Sequence, residues 1–115
     1  MKTLFLLTLV LAGTAVWAQT PYDLSDGRDL QALCQASTKD ASLNALAHTF
    51  CLGYIRGVAE QAGLIKSPQA CVPRGVSDED MKKLVGRFLQ DHPKYLREKA
   101  TTVIAAAMQA AFHCK

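Results

Sequence analysis

The chain has 115 residues, four of them cysteines, and a formal net charge of +3 at pH 7. It carries no basic run and no interleaving of aromatic with basic residues, which argues against a nucleic-acid partner. The length allows one small domain and excludes two.

The first 18 residues have the pattern of a secretory signal peptide. Lys2 supplies a positive start, residues 4–16 are mainly apolar, and small residues precede a cleavage site after Ala18. The apolar run is too short to span a bilayer as a stable helix. We therefore predict that residues 1–18 are removed, and that residues 19–115 form a secreted domain with no membrane attachment.

Apolar spacing, capping residues and prolines predict helices and no strand. Ser77 stands at a capping position before three acidic residues, and Pro93 suits the first turn of the last helix, where its missing N–H costs nothing. A polar connector covers 37–42, and a loop with two prolines covers 64–76. The fold class is therefore all-α, a compact domain of four or five helices. The predicted helices lie at about 25–36, 43–62, 77–91 and 93–112.

The second predicted helix contains two glycines, Gly53 and Gly57, four residues apart. Each costs roughly 1 kcal/mol against alanine in a helix interior. We predict that they allow close packing against another helix, such as the alanine-rich fourth. A ligand resting on bare backbone is the less favoured alternative. The predicted apolar face of this helix comprises Leu43, Leu46, Ala47, Phe50, Cys51, Tyr54, Ile55, Val58, Ala59 and Ala62.

All four cysteines lie after the predicted signal, and an even number in a small secreted domain indicates two disulfides. The third and fourth helices are joined by almost no loop, so Cys71 should lie near Cys114, which leaves Cys34 with Cys51. Loop entropy is worth roughly 4 and 3 kcal/mol for these pairs, and other pairings give similar sums, so topology alone favours this one. A bonded Cys51 could not act as a nucleophile beside His48.

No other set of residues resembles a catalytic or metal site. The three histidines, His48, His92 and His113, lack the spacing of metal ligands, and surface or capping roles are favoured for them. There is no glycine-rich phosphate loop and no Ser/His/Asp set. We predict no catalytic residue, no metal and no cofactor, and hence a protein that is not an enzyme.

Five motifs in order resemble one known family. The chain reads "LSDGRDLQALC" in the first predicted helix, "CLGYIRG" in the second, "CVP" in the loop, "FLQDHP" at the end of the third and "AFHC" at the end of the fourth. From Leu24 to Cys114 the sequence resembles the Rap/Tai family of type VI secretion immunity proteins. One departure is His113, where that family often has proline.

The resemblance implies a periplasmic protein of Gram-negative bacteria that binds an incoming cell-wall amidase and blocks its active-site cleft, often as a homodimer. An inhibitor of this kind needs a firmly held convex loop, because such a loop loses less entropy on binding. The loop at 64–76 is the candidate, and an equally weighted alternative makes it a mere connector. Its predicted partner-binding residues are Lys66, Ser67, Gln69 and Arg74.

Two other functions are compatible with a small secreted helical domain. A periplasmic acid-stress chaperone would also be disulfide-bonded, and it would dissociate and expose apolar surface at roughly pH 2 to 3, where carboxylates lose their charge. A small secreted enzyme would need a free thiol or a metal.

Overall fold

A computed structural model describes residues 24–64 and 70–115 and has the predicted all-α fold. The predicted signal peptide lies outside the described residues. Within them, none of the helices combines the length and apolar character needed to cross a membrane. The elements in chain order are α1 (Gly27–Cys34), α2 (Ala41–Leu64), α3 (Asp78–Asp91), a 3-10 turn (Pro93–Arg97) and α4 (Ala100–Ala111).

Helix α1 begins with a reciprocal capping box. The Asp29 N–H donates to Asp26 Oδ1 at 3.0 Å, and the Asp26 N–H donates to Asp29 Oδ2 at 3.2 Å. The Ser25 hydroxyl donates to the same Asp29 oxygen at 2.8 Å. This hydrogen bond, followed by those from the backbone N–H groups of Asp26 and Ser25, holds the pKa of Asp29 below its ordinary value.

Helices α2 and α3 are also capped by side chains. Asp40 Oδ1 accepts the N–H groups of Ser42 at 2.9 Å and Leu43 at 3.2 Å, so α2 begins two residues before the predicted start. Ser77 caps α3 as predicted, since its hydroxyl accepts the Asp80 N–H at 3.1 Å.

The last predicted helix, 93–112, is broken in the structure. The Gly27 N–H donates to the Glu98 carbonyl at 2.9 Å, and the Ala100 N–H donates to the Ser25 carbonyl at 3.2 Å. These bonds hold the chain in an extended bridge just before α4, so the 3-10 turn and α4 are separate elements. The sequence alone does not reveal this contact between distant segments.

Gly27 is required by the same contact. A Cβ at this position would overlap the Tyr95 carbonyl oxygen and would lie 3.0 Å from Leu96 Cα. Any larger residue would force α1 away from the 3-10 turn.

All four helices contribute to one core, and both predicted disulfides are present. Cys34–Cys51 joins α1 to α2, and Cys71–Cys114 joins the start of the loop segment before α3 to the chain end after α4. Cys51 is bonded and fully buried, so it cannot act as a nucleophile. The largest fully buried side chains are Leu30, Cys51, Ile55, Met81, Leu89, Val103, Ile104 and Met108.

The predicted packing role of Gly53 and Gly57 is wrong. Both glycines are exposed, and among the described residues a Cβ at either would meet no atom within 4 Å beyond its own stretch of helix. The side of α2 that faces the core consists of Ala47, Cys51, Ile55 and Ala59, and the glycines lie on the opposite side.

The predicted apolar face of α2 also needs correction. Leu43, Leu46 and Phe50 remain 48%, 54% and 42% exposed. Apolar residues occupy most of the circumference of this helix, so their spacing does not determine which side turns inward. The disulfide at Cys51 fixes that choice, because it points one side of α2 at α1.

Candidate partner-binding surfaces

The predicted partner-binding loop is described only in part. Lys66, Ser67 and Gln69 lie outside the described residues, whereas Arg74 is exposed in a turn. Gly75 follows it with a φ of 92°, a left-handed conformation that favours glycine. The structure therefore locates one of the four predicted contact residues, at the tip of a tight turn.

This turn, called here the Arg74 turn and comprising residues 73–75, is held on both sides. On one side the Cys71 N–H donates to the Phe112 carbonyl at 2.9 Å, and Cys71 is bonded to Cys114. On the other side Arg56 Nη2 donates to the Val76 carbonyl at 2.8 Å. The Arg74 turn is thus tied to the end of α4 and to the middle of α2.

Arg56 is a supporting residue that the sequence did not reveal. Its Nε lies 2.6 Å from Asp78 Oδ1 at the start of α3, and its Nη1 lies 4.0 Å from Glu60 Oε1. One guanidinium therefore positions the loop end and the α3 start together, as its planar set of donors allows. The arginine of "GYIRG" was visible in the sequence, but its distant partners were not.

His48 joins α2 to α3. Its Nε2 lies 2.7 Å from Glu79 Oε1, and Lys82 Nζ lies 3.0 Å from its Nδ1. A lysine ammonium can only donate, so Nδ1 accepts and Nε2 carries the proton to Glu79. Within the described residues, no group of three or more His, Cys, Asp or Glu side chains could hold a metal ion.

His92 stands at the C-terminal end of α3. Its Nδ1 lies 3.0 Å from the Phe88 carbonyl oxygen, and its ring stacks on the Phe88 ring with centroids 4.5 Å apart. This agrees with the predicted capping role.

A second candidate surface is the exposed apolar side of α2. We define the α2 outer face as Leu43, Leu46, Phe50, Gly53 and Gly57, all of which are exposed. No Asp, Glu, Lys or Arg occurs from the start of α2 to residue 55. Leu43, Leu46 and Phe50 expose apolar area together on one side of a helix, which gives this face the character of a contact surface.

Tyr54 borders the α2 outer face. Its ring stacks on that of Phe50 with centroids 6.5 Å apart and an interplanar angle of 10°. Partial burial raises the pKa of the Tyr54 hydroxyl above its ordinary value. The two rings give the middle of the face a broad aromatic surface.

A groove between α1 and α3 is the third feature. Leu30, Val85 and Leu89 form part of its apolar lining, and Lys82 and Lys83 also border it. Its volume is about 230 Å³, below the roughly 300–1,000 Å³ of ordinary small-molecule sites. The groove has room for a side chain of a partner protein rather than for a substrate.

Comparison with known proteins gives one match. A family model described as Rap1a immunity proteins matches residues 26–114. Among curated proteins and among solved structures, none matches the chain. The matched range includes α1 through α4, both disulfides, the Arg74 turn and the α2 outer face.

Proposed function

The chain belongs to the Rap1a family of immunity proteins, and on this basis we propose that it binds and blocks a type VI secretion effector that cleaves the cell wall as an amidase. The match over residues 26–114 is the observation that carries the proposal. The protein would act in the periplasm, where the effector reaches its substrate. It would contribute no catalytic group of its own.

The Arg74 turn is the part of the molecule that we propose enters the effector's active-site cleft. It is exposed, and hydrogen bonds and a disulfide hold it on both sides. A loop held in this way is already ordered before binding, so little conformational entropy is lost when the complex forms. Lys66, Ser67 and Gln69 belong to the same predicted loop and would extend the contact.

The charges around the turn support a role for Arg74. Two acidic residues that follow it at the start of α3 are engaged within the domain, Asp78 with Arg56 and Glu79 with His48. Arg74 is exposed on the turn itself. An exposed guanidinium can bind a carboxylate of the effector in bidentate fashion, which supports this role.

A homodimer is the second part of the proposal, because the resemblance to the Rap/Tai family implies one.

Two alternative functions, an acid-stress chaperone and a small secreted enzyme, have less support than the immunity role. The family match supports an immunity role, and both thiol pairs are consumed in disulfides.

The first test is a double charge reversal, Lys66→Glu with Arg74→Glu. We expect the affinity for the cognate amidase to fall at least about tenfold, which corresponds to about 1.4 kcal/mol. The melting temperature should stay unchanged, because Arg74 is exposed and the turn keeps its anchors. Isothermal titration calorimetry gives the affinity, and thermal denaturation checks the fold.

A matched variant distinguishes this site from the exposed side of α3. Lys83→Glu with Arg87→Glu makes the same change in net charge at two exposed positions of α3. The proposal predicts that this variant keeps nearly full affinity. If it loses affinity while the loop variant keeps it, the interface lies on α3 and the Arg74 turn is a connector.

A further inference from the structure

The two disulfides of this chain lie in different surroundings. Cys51 is fully buried in the core and Cys34 is half-buried, whereas Cys71 is exposed and Cys114 is half-buried. We propose that the Cys71–Cys114 bond is a redox-sensitive switch for the Arg74 turn, which a dithiol opens without unfolding the domain. The inference rests on the proposed function only for the role of the turn in binding the effector.

The surroundings determine which disulfide a thiolate can reduce. The thiolate of a dithiol attacks one sulfur of the bond, and the other sulfur leaves as a thiolate. At Cys34–Cys51, attack on Cys34 leaves a thiolate at the fully buried Cys51, where charge is costly, and attack on Cys51 requires entry into the core. Neither Cys71 nor Cys114 is buried, so the second bond is open to attack at either sulfur.

The proposed step exchanges one disulfide for another. The first thiolate of the dithiol forms a mixed disulfide with Cys71, and the Cys114 sulfur leaves with the electron pair of the broken bond and takes up a proton. The second thiolate of the dithiol then bonds to the first and releases Cys71, which also takes up a proton. The dithiol is oxidised to a disulfide, and its two electrons and two protons appear in the two thiols of the protein.

The Cys71–Cys114 bond ties one side of the Arg74 turn to the chain end after α4. The hydrogen bond from the Cys71 N–H to the Phe112 carbonyl, at 2.9 Å, is the other tie on this side. The opposite side keeps its hydrogen bond from Arg56 in either redox state. Once the disulfide is broken, one side of the turn depends on a weak tie, and we expect it to open locally.

The rest of the domain depends little on this segment. Of the buried core residues that the structure describes, only Ala70 belongs to residues 70–76. The Cys34–Cys51 bond still joins α1 to α2. Reduction should lower the melting temperature, because the broken bond no longer restricts the unfolded chain. We nevertheless expect the reduced domain to remain helical and to unfold cooperatively.

Opening of the Arg74 turn lowers the affinity for the effector. The oxidised protein presents an ordered turn, whereas the reduced protein must order it again on binding, at a cost in conformational entropy. We expect reduction of Cys71–Cys114 to raise the dissociation constant of the complex at least about tenfold. The oxidised chain thus inhibits the effector, and a dithiol weakens that inhibition reversibly.

The order of reduction can be tested without an effector. The oxidised protein is incubated with increasing concentrations of dithiothreitol, free thiols are trapped with iodoacetamide, and peptide mass spectrometry identifies the modified cysteines. Cys71 and Cys114 should be modified at concentrations that leave Cys34 and Cys51 bonded. Reduction of both disulfides together, or of Cys34–Cys51 first, would overturn the proposal.

Amide hydrogen exchange tests whether opening is local. After reduction of Cys71–Cys114, exchange of the Cys71 amide should accelerate at least about tenfold more than exchange of the Val103 amide, which donates to the Lys99 carbonyl at the start of α4. Equal acceleration of the two amides would mean that reduction loosens the whole domain, and the bond would then be a structural one only.

The effect on binding is tested with Cys71→Ser combined with Cys114→Ser. This variant should unfold cooperatively and bind a cognate amidase at least about tenfold more weakly than the oxidised wild type. Val103→Ala is the matched control, because it weakens the core away from the turn and should keep the affinity. Reoxidation of the reduced wild type should restore full affinity.

Two results with the serine variant would overturn the proposal. If it is unfolded where the wild type is folded, the bond maintains the fold rather than the turn. If it binds as tightly as the wild type, the turn does not depend on the bond. An oxidised wild type that fails to bind the amidase would instead refute the proposed function, while the order of reduction and the amide exchange still test the switch.

Discussion

Helices α2 and α3 have the same alternation of buried and exposed positions but different residues at the exposed ones. Residues 51–60 and 81–90 share one burial pattern, position by position. In α3 the exposed sites hold Lys83 and Arg87, whereas the corresponding sites of α2 hold Gly53 and Gly57. Packing in the domain explains the buried positions of both helices, but it gives no reason for glycines on the outside of α2.

This difference indicates that the exposed sides of α2 and α3 have different roles. Charged residues on the exposed side of α3 are the usual arrangement for a helix that faces water. On the exposed side of α2, the two glycines weaken the isolated helix. Three large apolar side chains on that side leave apolar area exposed. Such a combination makes physical sense where another helix covers it.

The largest effects are expected on the inner side of α2. Ile55→Ala removes most of a fully buried side chain and should lower the free energy of unfolding by about 2 to 5 kcal/mol. Leu46→Ala, on the outer face, should change it by no more than about 0.5 kcal/mol in the monomer. Chemical denaturation at low protein concentration measures both. Equal losses at the two sites would mean that Leu46 is part of the monomer core.

A smaller effect of opposite sign is expected at the glycines. Gly57→Ala should raise the free energy of unfolding of the monomer by roughly 1 kcal/mol, because alanine favours the helix and meets no neighbour. Gly27→Ala is the matched control, since its Cβ would overlap the Tyr95 carbonyl oxygen and should destabilise the fold. Destabilisation of the monomer by Gly57→Ala would restore the packing role that the structure rejects.

Much of the fold could be predicted from local signals. Ser77 as a cap and Pro93 after α3 are short-range features, and the disulfide pairing followed from the near absence of a loop between the last two helices. The break before α4 could not be predicted, because it is imposed by the hydrogen bonds of Ser25 and Gly27 to residues more than seventy positions away. Local propensity carries no information about such contacts.

The candidate surfaces were harder to predict than the fold. The exposure of Arg74 was expected, but the support that Arg56 gives to the loop depends on a tertiary contact. The α2 outer face was assigned to the core because apolar spacing cannot choose between two apolar sides of one helix. The predicted Cys34–Cys51 disulfide carries that information, because it turns the Cys51 side of α2 towards α1.

The central claim is that this chain blocks a cell-wall amidase effector, and an inhibition assay tests it most directly. A cognate type VI secretion amidase is purified, and its cleavage of peptidoglycan is measured as the disulfide-bonded protein is added. We predict loss of amidase activity at close to one inhibitor chain per enzyme, together with a complex that survives gel filtration. Full activity at saturating inhibitor, with no complex formed, would contradict the account.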